Sequence, residues 1–504
     1  MITVREPRTL APVRSTPARG LILLAVALGT FMTYLDNNVV NVAIPTIERS
    51  LRLSESGIEW VVSAYILVFA GLLLAGGRLA DVIGRKRLFG VGLTVFTGAS
   101  MLAGLAGSAD LLIGSRALQG LGAALLTPTT LAIISATFSD ERERARAVGV
   151  WGAVGALALA VGPVIGGSLA EHASWHWIFF LNGPVGVVTF ALGMWAIPAD
   201  RPGRGRRLDW AGVTTSAVSL LALTYGLIQG PHDGWTSSLI LGAFAFAVLA
   251  AGAFVAIERR VADPMVELSL FANRTFAGGT IAVMLWAFGL FGIYFYTSLY
   301  LQNVLGFSPT VAGVAFVPMA LLMAVGATVS DRVSAHFGAY RVIGTAMAAM
   351  AVGIVSVSLL GLHAHFAELM PGLALIGVGG GLTIPLTSVV VGTMPPERAG
   401  VASGLFNASR EVAGLLGITV IGVVLTARQT AAAHAHASTV VAFLDGYRLG
   451  LVVAAGLVAA GGAVAWFALP RPSATSRVGS SPRTDGVVLR PLGGLGEQDA
   501  QPFG

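Results

Sequence analysis

The chain has 504 residues, of which 55% are hydrophobic and 11% charged, where a soluble protein carries about 25%. With a mean hydropathy of +0.79, this balance points to a polytopic membrane protein and leaves no soluble domain of useful size. The absence of cysteine excludes disulfides and cysteine-ligated metal or iron–sulfur sites, and the net charge of +6 sits in loops beside apolar runs, where it reads as topological charge against anionic lipid and not as a nucleic-acid surface.

Residues 1–19 are polar and basic. The apolar run after them exceeds signal-peptide length and has no A-x-A site, so it reads as an uncleaved first helix. Counting apolar runs of about 20 residues predicts 14 membrane helices. Their spans are 21–43, 57–78, 88–107, 110–136, 147–169, 177–197, 210–229, 237–257, 275–299, 310–330, 341–361, 370–391, 401–426 and 447–468. With the N-terminus inside, the cytoplasmic segments hold 25 of the 31 basic residues and the outer loops four, Arg49, Arg52, Arg428 and Arg448. That asymmetry places both termini in the cytoplasm. Trp60, Trp175, Trp177, Trp195, Trp210, Trp235 and Trp466 fall near predicted helix ends, as an aromatic belt requires. The predicted organisation is a cytoplasmic tail (1–20), a six-helix bundle (21–197), linking loops with two inserted helices (198–269), a second six-helix bundle (270–470) and a disordered cytoplasmic tail (471–504).

Predicted helix 1 contains Tyr34, Asp36, Asn37 and Asn41. A charge at helix centre costs about 2.5–3.5 kcal/mol on insertion scales, so Asp36 is expected to have a task. Asn37 and Asn41 lie one turn apart and serve either a substrate or interhelical hydrogen bonds. The loop after predicted helix 2 reads GGRLADVIGRKRLF over 76–89, a dense charge cluster between two spans. Predicted helix 4 carries Arg116 about 9 Å in from the outer face, at a depth similar to Asp36, about 22 Å along helix 1. In predicted helix 5, Gly162, Pro163, Gly166 and Gly167 permit close contact and bending. Predicted helix 9 is aromatic, with Trp286 and Tyr294 either facing a ligand or packing. Residues 330–341 (SDRVSAHFGAYR) echo the 76–89 loop faintly, the mark of parallel halves. Arg410 and Glu411 sit near mid-depth in predicted helix 13. As neighbours pointing about 100° apart they are not expected simply to pair, which makes Glu411 a candidate second titrating group. His363, His365, His434 and His436 form two H-A-H pairs, short of a metal site, and no metal is expected. No G-x-x-x-x-G-K-[ST] loop occurs, so ATP is not the expected energy source. No Ser/His/Asp nucleophile arrangement is evident either, so no enzyme is expected.

Several of these stretches resemble the major facilitator superfamily, in particular its fourteen-helix drug:proton antiporters. Gly77, Asp81, Gly84 and Arg85 match the family's loop between helices 2 and 3, with Val82 where a second Arg is common. RALQGLGAA around Arg116 matches its helix 4 motif, and Gly149, Gly162, Pro163, Gly166 and Gly167 match its antiporter motif, with Ala158 replacing a glycine. His176 replaces a usual Arg, and Asn407, Arg410 and Gly414 match a later segment. The resemblance implies an all-α fold of two six-helix bundles plus two additional transmembrane helices, 14 in total. It implies a monomeric exporter in the bacterial inner membrane that exchanges protons for hydrophobic, often cationic, drugs, with no cofactor beyond the proton gradient. Its partners would be small molecules, protons and lipid. In that scheme Asp36, tuned by Arg116, carries the proton, and the proton and a cationic substrate compete for its carboxylate. Tyr34, Asn37, Asn41, Trp286 and Tyr294 line the cavity. Gly162 and Pro163 close the outer side, and Asp81 with Arg85 latches the inner side. A proton-coupled uptake symporter and a non-transporting membrane sensor on the same scaffold are the alternatives.

Overall fold

The computed structural model describes residues 16–138, 140–199, 209–261, 264, 266–394, 399–434 and 438–471. All regular structure among them is helical. Fourteen helices are long and apolar enough to cross a membrane. They are helix 1 (Arg19–Leu51), helix 2 (Glu55–Ala80), helix 3 (Arg85–Gly104), helix 4 (Ala109–Thr137), helix 5 (Arg142–His172), helix 6 (His176–Ala196), helix 7 (Trp210–Asp233) and helix 8 (Ser238–Glu258). Helix 9 (Arg274–Val304), helix 10 (Pro309–Phe337), helix 11 (Ala339–Ser358), helix 12 (Phe366–Gly392), helix 13 (Ala402–Ala432) and helix 14 (Thr439–Ala468) complete the set.

Every predicted span is found, but several helices outrun their apolar stretch. Helix 5 begins in the charged turn Arg142–Arg146, and helix 1 runs to Leu51. Hydropathy marks only the part that meets lipid, whereas i→i−4 bonding continues through the charged turns beyond it. Side-chain caps start many of these helices: Ser54, Ser108, Asp140, Asp209, Ser237, Asn273, Ser308 and Ser438 each accept from a backbone N–H of the first turn. Prolines interrupt others. Helix 10 breaks at Phe316 ahead of Pro318, and helix 12 at Thr383–Ile384 ahead of Pro385.

An even number of spans puts both ends of the helical array on one side, here the terminal side; the other is the distal side. Helices 1–6 pack mainly on one another, and so do helices 9–14. Helices 7 and 8 pair, and helix 7 leans on helices 2 and 13. Helix 8 turns Phe246, Val248 and Leu249 outward, up to 72% exposed, as a lipid-facing helix should. Trp195, Trp210, Trp177 and Trp235 are exposed near helix ends, in keeping with a belt. Trp175 is not part of it. It is 3% exposed, stacked at 3.8 Å on His176 and edge-on to Phe179, so it closes the core at the start of helix 6.

The two halves repeat one device. Helical turns continue past Ala80 to Ile83, so helices 2 and 3 are joined by the single residue Gly84 (φ 98°, ψ 137°), and helices 10 and 11 by Gly338 (φ 88°, ψ 131°). Each N–H returns to a carbonyl of the preceding helix, at Ala80 and Ser334. The positive φ is what makes glycine necessary at both turns. The faint sequence echo at 330–341 is thus the same backbone corner built twice. Helix 4 likewise sets Gly120 on the Tyr65 carbonyl of helix 2 and Gly122 on the Phe96 backbone of helix 3. Helix 12 sets Gly377 on Met319 of helix 10 and Gly379 on Ala346 of helix 11.

Candidate functional site

Asp36 and Arg116, placed at similar depth by counting residues, form an ion pair. The Arg116 Nη1 donates to Asp36 Oδ2, and both side chains are fully buried. Asp36 Oδ1 also accepts from Gln119 Nε2 and Asn182 Nδ2, each at 2.9 Å. Arg116 Nε donates to the Val61 carbonyl (3.1 Å), and its guanidinium lies 4.5 Å from the centre of the Tyr65 ring. Asn182 also donates to Ser100 (2.9 Å), whose hydroxyl in turn donates to the Phe179 carbonyl. One charge pair therefore ties helices 1, 2, 3, 4 and 6 together. A buried pair repays its desolvation only when most of its remaining polar atoms are satisfied in this way; Arg116 Nη2 is left without a partner among the described residues.

A cavity of about 150 Å³ lies between the halves near mid-depth. Helix 1 contributes Tyr34, Asn37 and Asn41, and helix 9 contributes Trp286, Phe291 and Tyr294. The five residues expected around a substrate, Tyr34, Asn37, Asn41, Trp286 and Tyr294, all border this cavity. Asp36 does not. The carboxylate in the wall is Glu411, so direct competition between a proton and a bound cation at Asp36 has no geometric basis in this structure. Glu411 is paired with its neighbour. Arg410 Nη2 and Nε lie 2.7 and 3.2 Å from Glu411 Oε1. The expectation that adjacent residues diverge holds for Cβ directions only, because the arginine is long enough to fold back onto the carboxylate.

The helix 5 motif divides its work. A Cβ at Gly162 would lie 2.8 Å from Asn38 Cβ, and one at Gly166 would strike the Val39 backbone, so both press helix 5 onto helix 1 of the same half. The cross-half contact falls to Gly167, which abuts the Pro309 carbonyl of helix 10, and to the Pro163 carbonyl, which abuts Gly313. Around this seam Glu171 Oε2 accepts from the Thr310 N–H (2.9 Å), Ser298 Oγ donates to the Asn41 carbonyl (3.0 Å) and Gln302 Nε2 donates to the Val42 carbonyl (2.8 Å). All these contacts lie on the distal side. Toward the terminal side, Arg85 is half-buried at the start of helix 3, while the Asp81 side chain of the expected Asp81–Arg85 latch lies outside the described residues. Gly77 has ordinary room beside Pro128. It is Gly76 that meets helix 4, at the Ala124 carbonyl.

Sequence reading missed Glu59. It is 8% exposed and accepts from Tyr296 Oη (3.2 Å), which also donates to the Ile418 carbonyl (2.9 Å), so helices 2, 9 and 13 meet there. With Glu48 and Glu55 it borders a second, distal cavity of about 230 Å³. The available signal was a lone carboxylate one turn inside an otherwise apolar span.

The family model described as Major Facilitator Superfamily matches residues 26–418. The chain is similar to the puromycin resistance protein of Streptomyces alboniger, with 35% identity over 476 residues, 92% of this chain and 94% of that one. It is also similar to the multidrug resistance protein Stp of Mycobacterium tuberculosis, with 35% identity over 417 residues, 82% and 78% of the two chains. Among solved structures, an inward-facing, occupied bacterial homologue of the human lysosomal transporter Spinster superposes with a TM-score of 0.62. It has 15% identity and covers 91% of this chain and 100% of that one.

Proposed function

The chain belongs to the major facilitator superfamily, and on that premise we propose that it is a proton-coupled exporter of hydrophobic drugs or antibiotics. It is a multi-pass membrane protein. The observation that carries the reading is the apolar cavity between the halves with the Arg410–Glu411 pair in its wall. Supporting it are relatives named for puromycin and multidrug resistance. Export proceeds by rocking one half against the other around the cavity. The proton gradient is the energy source, and no cofactor or nucleic acid takes part. Glu411 exchanges its proton within reach of the substrate, while the Asp36–Arg116 pair sits behind the wall and links protonation to the angle of helix 1. The test is substrate-induced proton release from everted vesicles. Glu411→Gln should release no protons on substrate addition while still binding substrate. Wild-type release by Glu411→Gln would remove this residue from the coupling. The direction of substrate flux in the same assay separates export from uptake.

The loop charge split supports an orientation with both termini in the cytoplasm and the distal seam as the outer gate. Reporter fusions at Arg14, Gly234 and Ser476 should then read inside, outside and inside. An inside signal at Gly234, in the turn after helix 7, would overturn the orientation.

A further inference from the structure

The cavity wall holds buried polar atoms with no hydrogen-bond partner among the described residues. Apart from the Thr127 hydroxyl, they are Asn37 Oδ1 and Asn41 Oδ1 on one half and Trp286 Nε1 and Tyr294 Oη on the other. Asn41 and Tyr294 are 8% and 9% exposed. Buried polar groups are nearly always paired, so four orphans around one space define a demand on whatever enters it. A serine or threonine hydroxyl in a helix can turn back to its own carbonyl. An indole N–H and an amide oxygen at these positions have no such recourse. The demand is two-sided, because Trp286 can only donate, the asparagine oxygens can only accept, and Tyr294 does either.

The wall is also electrically balanced. Its charged groups, Arg410 and Glu411, neutralise one another, and the other central carboxylate, Asp36, is spent on Arg116 outside the wall. The remaining surface is apolar and aromatic, from Phe69, Phe291, Met319 and Met323.

We infer that the preferred substrate is an uncharged, largely apolar, flat molecule that carries a carbonyl-type acceptor for helix 9 and a hydroxyl or N–H donor for helix 1. The site disfavours lipophilic cations that lack hydrogen-bonding groups. This inference rests on the exporter reading above and narrows its substrate class away from cations.

The test uses the full chain in lipid nanodiscs and two probes in equilibrium dialysis. One is a neutral dihydroxyanthraquinone, which has carbonyls and hydroxyls; the other is tetraphenylphosphonium, which has a charge and neither. The anthraquinone should bind at least about tenfold more tightly. Trp286→Phe and Tyr294→Phe, which keep the rings, should each weaken it about five- to tenfold, the worth of one neutral hydrogen bond, and should shift tetraphenylphosphonium by less than about twofold. Equal affinity for both probes, or an anthraquinone affinity untouched by either variant, overturns the inference. Proton release evoked in vesicles by tetraphenylphosphonium and not by the anthraquinone would also overturn it, while leaving the exporter in place. Anthraquinone binding with the stated losses but without proton release upholds the inference and removes the proton coupling instead.

Discussion

Asp36→Asn is expected to reduce proton-driven export to the level of vesicles lacking the protein. Asparagine nearly matches aspartate in size but cannot ionise, and it leaves the Arg116 guanidinium buried without a counter-charge, among Gln119, the Val61 carbonyl and the Tyr65 and Phe179 rings. Breaking one partner out of a buried pair costs about 3–5 kcal/mol, so the amount of folded protein should fall as well. The two effects separate in the double variant Asp36→Asn/Arg116→Gln, which removes both charges. It should recover its level in the membrane without recovering export. Asp36→Glu should keep part of the activity. If Asp36→Asn exchanges protons at the wild-type rate, the pair is a structural tie between helices and the coupling rests with Glu411 alone.

The second large effect is expected at Gly167. Leucine there would drive a side chain into the Pro309 carbonyl, and a main-chain atom cannot rotate aside as a side chain can. Overpacking costs about 1–3 kcal/mol in ordinary cores. Here the cheapest relief is to part the halves, since Gly162 and Gly166 still hold helix 5 on helix 1. Gly167→Leu should therefore fold, reach the membrane and fail to transport, held open on the distal side. The chain has no cysteine, so Val42→Cys introduces a unique thiol at the closed seam. Its reaction with an impermeant maleimide from outside should rise at least about tenfold in the Gly167→Leu background, the factor that ~1.4 kcal/mol confers. Gly162→Leu should instead lower the amount of protein, because its collision with Asn38 lies within one half. Unchanged labelling with normal transport in Gly167→Leu would show that this seam is no gate.

Much of the architecture was legible because lipid imposes a one-dimensional code. Apolar runs of bilayer length alternate with charged links, and every helix in the structure answers to one such run. Depth is legible too, since residues counted from a helix end give an axial position. That is why Asp36 and Arg116 could be set level before their contact was seen. Rotation about the helix axis is far less so. Asp36 and Asn37 are adjacent, yet one faces helix 4 and the other the cavity. Arg410 and Glu411 were read as divergent because periodicity describes Cβ vectors and not the reach of a long side chain. Glu59 went unremarked because a carboxylate near a predicted boundary resembles a loop residue. Only its meeting with Tyr296, 237 positions away, shows it to be interior.

The crossing of helices 5 and 10 has a consequence for how such a pump diversifies. Where Gly167 meets the Pro309 carbonyl and Gly313 meets the Pro163 carbonyl, the joint is main chain against main chain. It carries no side-chain identity that a change of cargo would have to re-match. The chamber walls, built from Asn37, Trp286, Phe291 and Tyr294, are a separate set of positions. Selection can rewrite the walls one residue at a time for a new toxin while the hinge between the halves keeps its fit, so inheritance of the motion and invention of the specificity proceed on different residues.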